Sequence, residues 1–189
     1  MRVVAGWLLV AAVLTGCGTG GDGVDDGGVD GGVDRGVDRG VDGGAALERQ
    51  REDVRSAAAE LVTGAIDVLG GRSSHTGGGF DGCESAGPDE FRTFRYRASG
   101  RVDVGPGAVR PYLDALAPVL TSAGFDEPVA RERPGGRSLQ AERDGVSASF
   151  SELPGAGDYV LVNLQGPCVE VPEDERDVWL RRQDPTPYL

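Results

Sequence analysis

Lysine is absent from this chain; all 19 of its basic residues are arginine. Chemistry that depends on a lysine amine, whether a Schiff base or the lysine of a phosphate-binding glycine loop, is therefore excluded. Histidine occurs once, at His75, and cysteine three times, at Cys17, Cys83 and Cys168. With one imidazole and no Cys-x-x-Cys spacing there is no recognisable metal centre, and no metal or other cofactor is expected. Positive charge is also scarce beside the 31 carboxylates, which bring the net charge to -12. A polyanion would be repelled, so no nucleic-acid partner is expected, and passive adhesion to anionic lipid is disfavoured for the same reason. Attachment to a membrane would need something covalent.

Long apolar runs are missing too. The longest, Val3 to Thr15 behind Met1-Arg2, would make a helix of roughly 20 Å, too short for a hydrocarbon core about 30 Å thick. It reads as the apolar segment of a signal peptide. Directly after it stands Leu14-Thr15-Gly16-Cys17. This tetrapeptide resembles the lipobox of bacterial lipoproteins, and the resemblance implies cleavage before Cys17 and a diacylglyceryl group on its thiol. Two acyl chains hold a protein stably to a bilayer where one is marginal. The resemblance therefore places the chain at the outer face of the cell membrane, with residues 1–16 removed.

Residues 17–44 follow as a Gly-Val-Asp repeat, including Val29-Asp30, Val33-Asp34, Val37-Asp38 and Val41-Asp42. A calcium-binding β-roll would need a nine-residue unit with a bulky apolar residue for its core. Single valines among glycines are too few to bury, so a disordered tether is expected, with a root-mean-square span near 30 Å for its ~27 residues. The excess of Gly, Ala, Val, Asp and Arg fits a GC-rich genome. In organisation the chain resembles actinobacterial lipoproteins that carry a small α+β domain on a glycine-rich tether.

Residues 45–189 have the size of one domain. Leu47, Val54, Ala58, Leu61, Ala65 and Val68 trace one face of a helix over 46–69, ended by Gly70-Gly71. Arg72 to Pro88 reads as a Gly/Ser-rich loop. From Phe94 the period becomes two, with Phe94, Tyr96, Ala98, Val102 and Val104 on one face and Arg95, Arg97, Arg101 and Asp103 on the other. A second helix is expected from Val109 to Ala123, with Pro111 in its first turn and Gly124-Phe125 as its cap. Strands follow over 129–133, 139–143, 146–152 and 159–165, separated by glycine turns. Cys168–Val171 reads as a continuation of the last of these, and Glu173–Arg182 as a short final helix. The fold expected is α+β: two helices on one face of a four- to five-stranded antiparallel sheet, in the order α-β-α-β-β-β with a short C-terminal helix.

With Cys17 acylated, Cys83 and Cys168 remain as a pair, and outside the membrane they are expected to form a disulfide. Catalytic signals are weak. His75 lies in Ser73-Ser74-His75-Thr76-Gly77-Gly78-Gly79, only loosely similar to an esterase His-Gly-Gly-Gly loop because Thr76 interrupts it. No Gly-x-Ser-x-Gly elbow exists. Arg95, Arg97, Arg101, Arg131 and Arg133, with Arg143 nearby, form the one patterned group. Guanidinium forks could grip a phosphate or carboxylate, or pair across strands with Asp103, Glu132 and Glu142. The function expected is a non-catalytic, membrane-anchored protein that binds an envelope partner protein, a cell-wall polymer or an anionic ligand. The alternative is a small extracytoplasmic hydrolase with its site in the Arg72–Pro88 loop.

Overall fold

In the computed structural model the described residues are 43–83, 91–153 and 157–189, with the Arg133 side chain left aside. The leader, Cys17 and the repeats of the tether lie outside them. The first helix, α1 (Gly43–Leu69), starts at Gly43 rather than Ala46. Its buried stripe runs through Leu47, Val54, Ala58, Leu61, Ala65 and Leu69, whereas Val68 is exposed. Gly70, in the left-handed region at φ 60°, turns the chain out of the helix.

The next segment is a strand, not the expected loop. β1 (Arg72–Gly82) pairs antiparallel with β2 (Thr93–Asp103) along almost its whole length, interrupted by a bulge between Ser74 and Gly77. Gly78 answers to a packing need. A Cβ there would stand 2.1 Å from the Tyr96 hydroxyl, so a side chain is excluded by the ring beneath. α2 (Leu113–Ser122) also begins later than expected. Val109 is exposed, and Pro111 precedes the helix across a cis Arg110–Pro111 bond. At its other end Gly124 takes φ 79° and the Phe125 N–H reaches the Leu120 carbonyl at 3.1 Å, closing the helix as the Gly-Phe pair suggested.

β3 (Val129–Arg133), β4 (Gly136–Arg143), β5 (Val146–Glu152) and β6 (Tyr159–Gln165) form a meander. β7 (Val169–Glu170) does not continue β6 but pairs with the start of β2. A 3-10 turn at Glu173–Glu175 leads into α3 (Arg176–Arg181), and β8 (Gln183–Asp184) pairs with β1 at Gly78 and Gly79. Among the described residues the sheet thus has eight antiparallel strands instead of four or five, ordered β3-β4-β5-β6-β2-β1-β8 with β7 beside β2. The chain order is α-β-β-α-β-β-β-β-β-α-β.

All three helices cover one face. Phe94, Tyr96, Ala98 and Val102 of β2, with Val160, Val162 and Leu164 of β6 and Phe150 of β5, meet the apolar stripe of α1 and Leu116 and Leu120 of α2. On the β1 side Phe80 lies edge-on to both Tyr96 and Trp179 of α3. The end of the chain is clamped to this layer. Oδ2 of Asp184, nearly inaccessible, accepts from Arg51 Nε at 2.7 Å, Arg55 Nη1 at 2.8 Å and the Tyr96 hydroxyl at 2.8 Å. Arg55 also donates to the Thr186 and Pro187 carbonyls.

Candidate functional site

One face of an eight-stranded sheet is sealed by helices, so the functional question falls on the other. Register defines what that face presents. Across β1, β2, β6, β5, β4 and β3 the residues Gly77, Ser99, Asn163, Ser149, Gln140 and Val129 lie side by side. On one flank runs Gly79, Arg97, Gln165, Ser147 and Glu142, and on the other Ser74, Arg101, Leu161, Ser151, Ser138 and Arg131. Strands stand about 4.8 Å apart, so the middle row extends over about 24 Å, perpendicular to the chain direction. Gly77, Ser99 and Ser149 keep the row low, and Arg97, Glu142, Arg101 and Arg131 stand on its flanks, which leaves a trough.

Over β4, β5 and β6 the trough opens into a cavity of about 650 Å³. Gln140, Ser147, Ser149, Asn163 and Gln165 form its floor, all half-buried. The segment between α2 and β3 walls it with Asp126 and Glu127, held in place by the Asp126 N–H on the Glu142 carbonyl at 2.8 Å. Arg97, Arg131, Val129 and Glu142 complete the rim. Among the described residues the five floor side chains make no hydrogen bond within the domain.

Of the arginines expected to act together, Arg97 and Arg131 line this cavity, and Arg95 and Arg101 do not. Arg97 meets Asp81 at 2.5 Å on the neighbouring strand. Arg101 meets Asp103 at 2.6 Å and lies 4.0 Å over the Tyr159 ring. Burial pulls the Asp103 carboxyl upward, but hydrogen bonds from Arg101 and Ser74 outweigh it and hold it below the usual range. Arg95 sits in register with Asp81, its Nε buried without a partner, and does not line the cavity. Arg131 does line it; the Arg133 side chain lies outside the described residues. Arg143 turns the other way, onto the Ala123 carbonyl and 4.6 Å over the Phe125 ring, where it closes the end of α2. Outward spacing along β2 put arginines on one face, but Asp81 across on β1 matches Arg97, and Asp103, two residues along β2 itself, matches Arg101. The cavity itself holds three carboxylates and two guanidiniums.

Cys83 and Cys168 are bonded, with Cα atoms 6.1 Å apart, tying the exit of β1 to the approach to β7. Cys17 lies outside the described residues. His75 stands at the β1 bulge with φ 54°, exposed, and its ring has no partner among the described residues. No group of three or more potential metal ligands occurs among them either.

The floor residues went unnoticed in the sequence, although a signal was there. The outward positions of Val146–Glu152 and Tyr159–Gln165 carry Ser147, Ser149, Ser151, Asn163 and Gln165. A wet sheet face built from serine and side-chain amides, in a chain this rich in charge, is an anomaly that alternation alone exposes.

No family model matches this chain, and no curated protein sequence matches it. Among solved structures it is similar to LppA from Mycobacterium tuberculosis, described as a candidate lipoprotein. The two share 13% identity and a TM-score of 0.41, over 71% of this chain and 81% of that one.

Proposed function

We propose that the protein is a lipid-anchored, non-catalytic binding domain on the outer face of the cell membrane. It engages a polar component of the surrounding envelope through the open sheet face. The observation that carries the binding role is the trough: five half-buried polar side chains with no hydrogen bond inside the domain line one cavity of about 650 Å³, within the size range of ligand sites. The leader and Leu14-Thr15-Gly16-Cys17 support the anchor. So does the bonded Cys83–Cys168 pair, at home in an oxidising compartment. Among the described residues no helix is long and apolar enough to cross a membrane.

Both halves of this reading are open to test. Cys17→Ser should abolish fatty-acid labelling and move the protein from the membrane fraction into the medium, or leave it unprocessed. Unchanged labelling and fractionation would remove the anchor. Delipidated, protein-stripped envelopes, which offer the anchor no bilayer, should sediment the wild-type protein, while Asn163→Arg, which places a long cation in the middle of the trough, should leave it in the supernatant.

A further inference from the structure

We infer that the ligand of this trough is an uncharged, hydroxyl-rich glycan chain, laid across the strands along the row from Gly77 to Val129. The inference rests on the reading of the open face as the binding surface and names its ligand class.

Hydrogen-bond chemistry points first. Gln140, Asn163 and Gln165 each present a donor and an acceptor side by side, and Ser147 and Ser149 can do either. Sugar hydroxyls likewise donate and accept at once, and neighbouring ones on a ring are spaced to meet a planar amide. A ligand without such groups would dehydrate these side chains and leave them unpaired, at roughly 1–3 kcal/mol apiece. A site of that composition therefore selects for a partner that can answer each group.

Charge and apolarity narrow the choice. Asp126, Glu127 and Glu142 outnumber Arg97 and Arg131 around the cavity, and Arg97 is already matched by Asp81. A polyanionic wall polymer would meet net repulsion here, reinforced by the -12 of the whole chain. A protein partner would look for a pocket to receive an aromatic or aliphatic anchor. The floor offers none: its outward side chains are amides and hydroxyls with Val129 at one end, and Ala141, Ala148 and Leu164, which also border the cavity, are buried in the core. Serine and asparagine are also weak strand formers. Their repetition over β5 and β6, without an internal hydrogen bond in return, is a local conflict of the kind found at functional sites. The geometry suits a linear chain, since the row is about 24 Å long.

The test uses the full lipidated protein in detergent and two fractions of its host's envelope polysaccharide. Mild acid releases soluble oligosaccharides, which anion exchange separates into neutral and acidic pools; inorganic polyphosphate serves as a pure anion. The neutral pool should bind saturably and polyphosphate should not. Ser149→Leu, which fills the trough with a residue no worse for a strand, should weaken neutral-pool binding at least tenfold. Ser151→Leu, one row away and outside the cavity, should change it less than twofold. Binding of polyphosphate or of the acidic pool alone, lost in Ser149→Leu, overturns the glycan assignment in favour of an anion. Equal binding of the neutral pool by wild type and Ser149→Leu overturns it as well. Delipidated envelopes, in which the anchor finds no bilayer, separate the two levels. If they retain the wild type but not Ser149→Leu while the neutral pool neither binds nor competes, the glycan fails and the open face stands. If they retain both proteins equally, the open face itself is wrong.

Discussion

At the residue scale the most constrained ionisable group is Asp184. Burial pulls its carboxyl upward, but the hydrogen bonds from Arg51 and Tyr96 and the charges of Arg55 and Arg51 prevail, and its pKa falls from 3.8 to about 2. A depressed carboxylate pKa stabilises the fold fully above the unfolded value and loses that effect as the pH drops through the folded one. The window here is therefore about pH 4 down to pH 2, and the shift corresponds to about 2 kcal/mol at neutral pH. Asp184→Asn removes this titration while keeping the shape. In urea unfolding the wild type should exceed Asp184→Asn in stability at pH 7, and the difference should shrink by about 2 kcal/mol at pH 2. Other acids titrate in both proteins and cancel. A gap that does not change with pH would mean that Asp184 does not hold the end of the chain to α1 as an ion. Tyr188 is drawn into the same layer: its hydroxyl lies 2.6 Å from where a Cβ on Gly100 would stand, and burial keeps it protonated far above the usual tyrosine range.

At the element scale, legibility followed periodicity. α1 and β2 carry long, regular apolar patterns, and both stand close to where those patterns put them. The β3 to β6 meander was readable for the same reason, with glycine turns as punctuation. β1 was not. Ser-Ser-His-Thr-Gly-Gly-Gly contains almost no apolar residue, and its one buried aromatic, Phe80, comes after the glycines. What makes it a strand is β2 on one side and the β8 segment on the other, neither of which a local window contains. The floor of the trough escaped for a related reason, because register across three strands assembles it and no contiguous motif marks it. The strand assignment of β1 makes unequal demands on adjacent glycines. An alanine at Gly78 would drive its Cβ to 2.1 Å from the Tyr96 hydroxyl, while at Gly79 nothing lies nearer than Gln183 Oε1 at 4.0 Å. Gly78→Ala should therefore cost about 1–3 kcal/mol in urea unfolding, and Gly79→Ala should stay within about 0.5 kcal/mol of wild type. Equal effects would be the behaviour of a flexible loop.

At the scale of the whole molecule, the disulfide links redox compartment to stability. Cys83 and Cys168 are separated by 85 residues in sequence, and in the chain-entropy model closing a loop of that size is worth about 4–5 kcal/mol. Domains of this size are stable by only about 5–15 kcal/mol, so the bridge can supply a large share of the total. It also sits at the end of the sheet where β1 leaves and β7 joins β2, two elements with little apolar content of their own. A domain so built is suited to the outside of the membrane and poorly suited to a reducing cytosol, in keeping with the proposed anchor. Adding a thiol reductant should lower the unfolding free energy by about 4 kcal/mol, with hydrogen exchange accelerating first in β7 and the adjoining end of β1. The Cys83→Ser/Cys168→Ser double variant should start from that lower stability and show no response to reductant. If the wild type unfolds at the same urea concentration with and without reductant, although alkylation confirms two free thiols, the bridge is ornamental and the stability of the domain comes from its helix-covered face alone.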